Sequence, residues 1–394
     1  MVEFLRRFPL PVIVVAQLFG TSLWFSINGV WLSLAAELGL TETDLGRLTL
    51  AVQAGFITGT LTIAVTGLAD RFGASRIFAL ASLLGALANA VFVLVANQSP
   101  LDFAFRFVTG LCLAGIYPLG MKMVIAWTPK YSGAALAWLV GMLTLGTALP
   151  HLMRGATLGL PWEWPLLGAS LLALAGGVLV FLLGDGPHLP ASSGPIPLRQ
   201  GLAALRVPRF RAVAGGYFGH MWELYAFWTL VPLLAGRELD RLGQGEGLVS
   251  WFAFAIIGVG GAGCVLGGRL SRSLGSEWVA RRALTVSGAL CLLYPFLAPF
   301  SPVLLLVLLL IWGLSVVADS PQFSALAAGS APKESVGSSL AVMNAVGFGL
   351  TLPAIWLTSG LWSELGAWVA LLLVPGPVFG LWSLGRGKAS PTTV

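Results

Sequence analysis

Charge is what this 394-residue chain has least of: 10% of its residues are Asp, Glu, Lys or Arg, 57% are hydrophobic, and its mean hydropathy is +0.89. Soluble domains carry about a quarter charged residues, so a soluble globular domain is excluded. Cysteine is nearly absent. Cys112, Cys264 and Cys291 each fall inside an apolar run, and they read as small buried hydrophobes with neither a disulfide framework nor metal-ligand spacing. No Gly-Lys-Ser/Thr phosphate-binding loop occurs, so ATP is not expected to be turned over within this chain. No nucleophile–base or metal constellation is legible either. Catalytic residues, metals and cofactors are therefore not expected, and the chain does not read as an enzyme.

What the sequence does have is length in its apolar runs. A bilayer core of about 30 Å takes roughly 20 apolar residues per helix. Twelve such runs lie near 9–34, 48–69, 77–96, 101–126, 133–155, 163–184, 211–235, 247–268, 283–299, 303–329, 336–360 and 366–385. Barrel strands would alternate in polarity over about ten residues; these runs are apolar all round, so an all-α integral membrane protein is expected. The first run is too long for a signal sequence and lacks a small-residue cleavage site, so no removable leader is expected. With the N-terminus in the cytoplasm, 16 of the 22 basic residues fall on the inner side and only Arg47, Arg237 and Arg241 on the outer side. That bias places both termini inside. The net charge of +6 then reports topology, and nucleic acid is not an expected partner.

The chain also divides in two. The stretch Asp185-Gly-Pro-His-Leu-Pro-Ala-Ser-Ser-Gly-Pro-Ile-Pro197, followed by basic residues to Arg211, is its longest polar interruption. Its Pro, Gly and Ser content reads as an interdomain loop over 185–210, between bundles at 1–184 and 211–394. After the second run comes Thr66-Gly-Leu-Ala-Asp-Arg-Phe-Gly-Ala-Ser-Arg76, and the second half has its own version, Gly267-Gly-Arg-Leu-Ser-Arg-Ser-Leu-Gly275. A tight turn carrying Asp70, Arg71 and Arg76 between two membrane-length segments is a charged hinge, which hydrocarbon alone would not require. Parallel repeats of six helices describe one transporter architecture.

On these residues the chain resembles the major facilitator superfamily over essentially its whole length. Leu68, Ala69, Asp70, Arg71 and Gly73 match the family's loop signature in register. Thr66 replaces its first glycine, and Ala74-Ser75-Arg76 replaces its immediate basic pair. In the second copy the acidic position is Ser271. Arg106-Phe-Val-Thr-Gly110 is similar to the family's Arg-x-x-x-Gly pattern in the fourth helix. Gly141-Met-Leu-Thr-Leu-Gly-Thr-Ala-Leu-Pro150 departs from the Gly-x-x-x-Gly-Pro of many drug/proton antiporters. The resemblance implies two six-helix halves and a conformational latch at Asp70, Arg71, Gly73 and Arg76, with Arg272 in the second half and Asp70 as its main charge. It also implies a central cavity lined by the first, fourth, seventh and tenth helices.

Those four helices hold most of the deep polar groups: Gln17, Thr21 and Asn28; Arg106, Tyr117 and Lys122; His220 and Glu223; Asp319 and Gln322. The last two pairs are spaced i, i+3, which puts each pair on one helical face, expected to point into one cavity. A carboxylate whose surroundings alternate between wet and occluded binds and releases a proton, which makes Glu223 the leading proton-coupling candidate. His220 titrates near physiological pH when unperturbed. Asp319 serves the same purpose or balances Arg106 or Lys122. A permanent salt bridge or packing contact is the structural alternative for Glu223 and Asp319. Arg106 faces the cavity, snorkels to the interface, or pairs with Asp102 one turn earlier. His151 and Arg154 act at a gate or anchor the interface; Trp24, Trp222 and Trp228 stack on a ligand or pack. The Gly258, Gly260, Gly261 and Gly263 cluster sits within an apolar run and reads as close helix packing, not a nucleotide loop.

The resemblance therefore implies a secondary active transporter of a small polar or amphipathic organic solute, proton-coupled and monomeric, in a bacterial inner membrane. Alternatives are a proton-independent facilitator, a drug efflux pump, or a non-transporting receptor or assembly protein on the same fold. The intramembrane charges His220, Glu223 and Asp319 weigh against the last.

Overall fold

A computed structural model describes residues 2–129, 132–188 and 198–387, with the side chains of Val2, Ala69, Asp70, 132–134, Leu198 and Glu246 outside the description. Long helices account for nearly all of the described chain. They are α1 (Pro9–Leu38), α2 (Glu42–Thr66), α3 (Ala74–Val95), α4 (Leu101–Trp127), α5 (Ser132–Ala156) and α6 (Glu163–Leu183), then α7 (Pro208–Asp240), α8 (Glu246–Leu274), α9 (Ser276–Leu297), α10 (Pro302–Ser330), α11 (Val336–Gly360) and α12 (Trp362–Arg386). Among the described residues, ten of these are long and apolar enough to cross a membrane. The other two, α7 and α9, are less apolar because α7 carries His220 and Glu223, and α9 carries Glu277, Arg281 and Arg282. They complete twelve spans in two six-helix halves.

Leucines face outward on α3, where Leu80, Leu83, Leu84 and Leu87 are exposed, and on α6, where Leu171 and Phe181 are exposed. Such a belt has no place in water and suits lipid tails. Helices α1, α4 and α5 are more buried than α3 and α6, and α7 has Phe210 to Leu239 almost continuously covered.

Two of the helices are interrupted. α1 unwinds over residues 22–25 between Pro9–Thr21 and Ser26–Leu38, and α10 unwinds over 317–319 between Pro302–Val316 and Ser320–Ser330. Freed carbonyls at membrane depth need partners from the protein, because no water competes there. Arg106 supplies them in the first case, donating to the carbonyls of Leu23 (3.3 Å) and Trp24 (3.0 Å). Cys264 donates to Val317 O at 3.4 Å in the second.

The glycine cluster of α8 packs as its composition predicts. Backbone of α10 lies against Gly260 and Gly263, while Gly261 meets Gly141 of α5 across the boundary between halves, where an added Cβ on Gly261 would stand 3.0 Å from Gly141 O. With no hydrophobic drive between helices in lipid, this close approach is what van der Waals association requires. The stretch expected as a linker over 185–210 is partly structured: Leu198–Ala204 is helical and Gly201 lies against Ser338 at the start of α11. Asp185 accepts the backbone N–H of Ser75 at 2.8 Å, which places a carboxylate at the N-terminus of α3.

Candidate functional site

The midplane of the bundle is filled by aromatic rings drawn from both halves. Trp24 of α1 lies 4.6 Å from Phe56 of α2, 5.5 Å from Tyr225 of α7 and 6.1 Å from Phe348 of α11. Phe56 and Phe348 approach to 4.5 Å, and Phe25 meets Trp228 edge-on at 5.9 Å. The Trp24 indole donates to Gln53 Oε1 (2.8 Å), whose amide donates to Thr351 Oγ1 (3.2 Å), so a hydrogen-bonded chain crosses from one half to the other. Trp24 and Trp228 are therefore packed within this plug. Trp222 lies elsewhere, donating to Leu372 O at 2.9 Å within the second half.

Contacts between halves continue from this plug toward the end of the bundle far from the termini. Gly46 sits against Ser359, Gly155 against Trp251 and Gly247 against Leu158. Near this end a cavity of about 10 Å³, bordered by Asn28, His151 and Ser250, is just large enough for one water molecule. His151 is buried, and Arg154 donates to Leu160 O at 2.8 Å. Asn28 donates to Thr49 at 3.3 Å.

On the terminus side of the plug, Tyr117 of α4 is partly buried against the core, and Tyr217 and Tyr225 of α7 are buried. Gln17 is fully buried beside Gly120, and neither polar atom of its amide has a partner among the described residues. At the terminus-side end itself a pocket of about 290 Å³ opens between α5, α8 and α10, with Gln322 and Arg272 on its wall.

The charged groups of α7 and α10 part company. Expected to face one cavity, Glu223 instead turns toward α9 and α10 inside the second half. There its carboxylate accepts from Trp312 Nε1 (2.6 Å), Ser287 Oγ (2.9 Å) and Cys291 Sγ (3.3 Å). His220, one turn away, places Nδ1 2.9 Å from Asp319 Oδ1 in the α10 break, with both side chains 1% exposed. Its ring lies 6.0 Å from Tyr217 and 5.9 Å from Phe323. Asp319 is thus paired with His220, while Arg106 is engaged elsewhere.

Arg106 takes neither of two arrangements that the sequence leaves open to it. It neither snorkels nor pairs with Asp102: at 1% exposure it donates to Asn89 Oδ1 (2.9 Å) and Ser26 Oγ (3.1 Å) as well as to the α1 break. Asp102 is held by Arg47 at 2.7 Å. Of the latch residues, the Asp70 side chain lies outside the described residues; Arg71, Arg76 and Arg272 are exposed, and Gly73 abuts Asp185. Sequence reasoning missed Gln53, Thr351 and Trp312, and it took Cys291 for a mere hydrophobe.

Two six-helix halves that meet through an aromatic plug at midplane, with titratable groups buried at that depth, define a polytopic membrane carrier. The Major Facilitator Superfamily family model matches residues 13–354, and the chain belongs to that family of transporters. It is 31% identical over 323 residues to a chloramphenicol resistance protein of Streptomyces lividans, covering 77% of each chain. It is 33% identical over 130 residues to the niacin transporter NiaP of Acinetobacter baylyi, a match spanning 30% of this chain and 29% of that one. The fold is that of the transporter FucP in the outward conformation (TM-score 0.68, 14% identity, 98% of this chain and 100% of that one). It is equally that of a bacterial homolog of the human lysosomal transporter Spinster in the inward-facing, unoccupied conformation (TM-score 0.69, 15% identity, 98% and 99%).

Proposed function

We propose that this transporter moves a small polar or amphipathic organic solute by alternating access, coupled to protons, as a monomer in a bacterial inner membrane with both termini cytoplasmic. The observation that carries the coupling is the setting of Glu223: a carboxylate at midplane, 1% exposed, whose three hydrogen-bond donors are all neutral. A buried carboxylate without a cation against it is costly when charged, so its protonation and the packing of α7 on α9 and α10 are linked. His220 and Asp319 form a second titratable pair one turn toward the termini. With Arg106 committed to the α1 break, an anionic solute loses one of its candidate counter-charges.

The halves divide as 1–184 and 211–394 about the 185–210 loop. With the termini inside, closure at the far end and the open terminus-side pocket correspond to an inward-facing state. In the opposite state the Asp70 loop, with Arg71 and Arg76, latches the inner side; Ser271 in the partner copy makes that latch asymmetric.

The test is solute flux into proteoliposomes containing wild type or Glu223→Gln, with and without an imposed pH gradient. Coupling predicts that the variant loses its response to the gradient; an unchanged response removes Glu223 from this role. Likeness to the chloramphenicol resistance protein supports a second reading, export of an uncharged amphipathic drug. It predicts that expression raises chloramphenicol tolerance in an efflux-deficient host.

A further inference from the structure

The terminus-side pocket between α5, α8 and α10, which the transport reading takes as the inner opening, also has a basic wall for which that reading names no ligand. Its wall carries Arg269, Ser271, Arg272 and Ser276 from α8 and the start of α9, Gln322 from α10 and Trp138 from α5, around about 290 Å³. Both arginines are exposed, and neither has an ion pair among the described residues. Gln322 is 97% covered by protein, yet its amide has no hydrogen-bond partner among the described residues and borders the pocket. The nearest acid along the chain, Glu277, is already engaged by Arg209 at 2.7 Å and Arg281 at 2.8 Å. Two cations, the Ser276 hydroxyl and an amide therefore border one space with no carboxylate among the described residues that line it, while Ser271 Oγ donates to Gly268 O at 3.1 Å.

The depth of this pocket says which anion suits it. Leu266 and Leu270, one helical turn apart on α8, are exposed at 49% and 37%, and Trp138 at 46%. From Leu266 to Leu274 exposed leucines alternate with exposed arginines on α8, with an indole alongside, the mixed pattern of a helix end at the headgroup layer. Basic pockets between transmembrane helices at that level bind anionic headgroups.

We propose that this pocket is a binding site for the phosphate of an anionic phospholipid, with Arg269 and Arg272 holding the phosphate, Ser276 and Gln322 donating to it, and the acyl chains leaving past the exposed Trp138 indole. The chemistry is shared with a free phosphate, and the lipid is favoured by the exposed indole of Trp138 on the pocket wall. Because α5 belongs to the first half and α8 and α10 to the second, a headgroup seated here touches both. It binds the arrangement in which the pocket is open and so biases the two-state equilibrium toward it.

The test uses the full chain, purified in detergent and stripped of lipid, with phosphatidylglycerol, phosphatidylcholine and inorganic phosphate as separate probes. Binding is followed by native mass spectrometry and by the thermal unfolding midpoint. Phosphatidylglycerol is expected to be retained and to raise the midpoint, whereas phosphatidylcholine is not. The Arg269→Gln/Arg272→Gln double variant is expected to bind phosphatidylglycerol roughly thirtyfold more weakly, from about a fivefold contribution per basic residue at an anionic surface. Ser271→Asp keeps both arginines, sets a carboxylate between them, and is expected to lose the lipid as well. Arg282→Gln, whose side chain lies over the Trp278 ring at 5.5 Å, is expected to bind as wild type does. Equal retention of the two lipids, undiminished binding by both pocket variants, or an equal loss in Arg282→Gln overturns the proposal. A midpoint shift reproduced in full by millimolar inorganic phosphate overturns the lipid assignment in favour of a soluble anion.

Discussion

The indole Nε1 of Trp312 donates to Glu223 Oε1 over 2.6 Å, joining α10 to the one carboxylate on α7 that lies at midplane. The same indole stacks on Phe227 with ring centroids 4.4 Å apart, so Trp312→Phe keeps an aromatic ring there and removes the N–H. A hydrogen bond to a neutral carboxyl contributes about 0.5–1.5 kcal/mol and one to a carboxylate about 1.5–3 kcal/mol, so the variant is expected to unfold at a lower temperature, and by more at high pH than at low pH. The control is a double-mutant cycle. If Trp312→Phe costs as much in a Glu223→Leu background as in wild type, the N–H does not hold the carboxylate.

Arg106 is expected to tolerate no substitution, including the one that keeps its charge. Its guanidinium divides its donors among two carbonyls of the α1 break, Ser26 and Asn89, a spread that the single ammonium of lysine cannot reproduce. Arg106→Lys leaves at least one buried acceptor unsatisfied, at about 1–3 kcal/mol, and Arg106→Leu leaves more. Both should lower the detergent-solubilised melting midpoint, with leucine the worse. A leucine variant as stable as wild type would mean that the break at 22–25 needs no cap from α4.

How much of this could be read from the chain depends on whether the signal is local. The spans were legible because the run of apolar residues is itself the physical cause of insertion, and even the weakly apolar α7 and α9 lie where 211–235 and 283–299 were expected. The α8 glycine cluster was legible as packing for the same reason. The direction of Glu223 was not. Spacing i, i+3 puts His220 and Glu223 on one broad face, but α7 is buried almost all round, so neighbouring side chains on that face meet different helices. His220 meets α10 at its break, while Glu223 meets Ser287 and Cys291, one turn apart on α9. The cap on α1 was hidden because a helix break carries no sequence signature when no proline or glycine marks it; residues 22–25 are Ser-Leu-Trp-Phe.

Asp185 was read as the first residue of a linker, and its carboxylate instead receives the Ser75 N–H where α3 begins. An acidic side chain at a helix N-terminus is worth about 0.5–2 kcal/mol when it caps. Asp185→Ala should therefore leave global unfolding little changed and quicken backbone hydrogen exchange over 73–78, the segment joining the Asp70 loop to α3. Unchanged exchange there would show that the loop is positioned without Asp185.

Closure of the far end rests on glycine at position 46. A side chain there would collide with Ser359 Oγ across the boundary between halves, so any larger residue must push α2 away from α11. Ser359 is 2% exposed, and a Ser359→Cys reporter in a background lacking Cys112, Cys264 and Cys291 should react slowly with a membrane-impermeant maleimide. Adding Gly46→Leu is expected to raise that labelling rate severalfold. The far-end contact is lost in the variant while the aromatic plug and the opposite end are untouched, so the population moves toward the arrangement open at the far end. The same variant should slow labelling of a cysteine placed at Ala325 on the terminus-side pocket, since rocking about the Gly141–Gly261 crossing closes one end as it opens the other. If labelling rises at 359 with no fall at 325, the two ends move independently, and closure is a local fit of α2 on α11 instead of a property of the two halves.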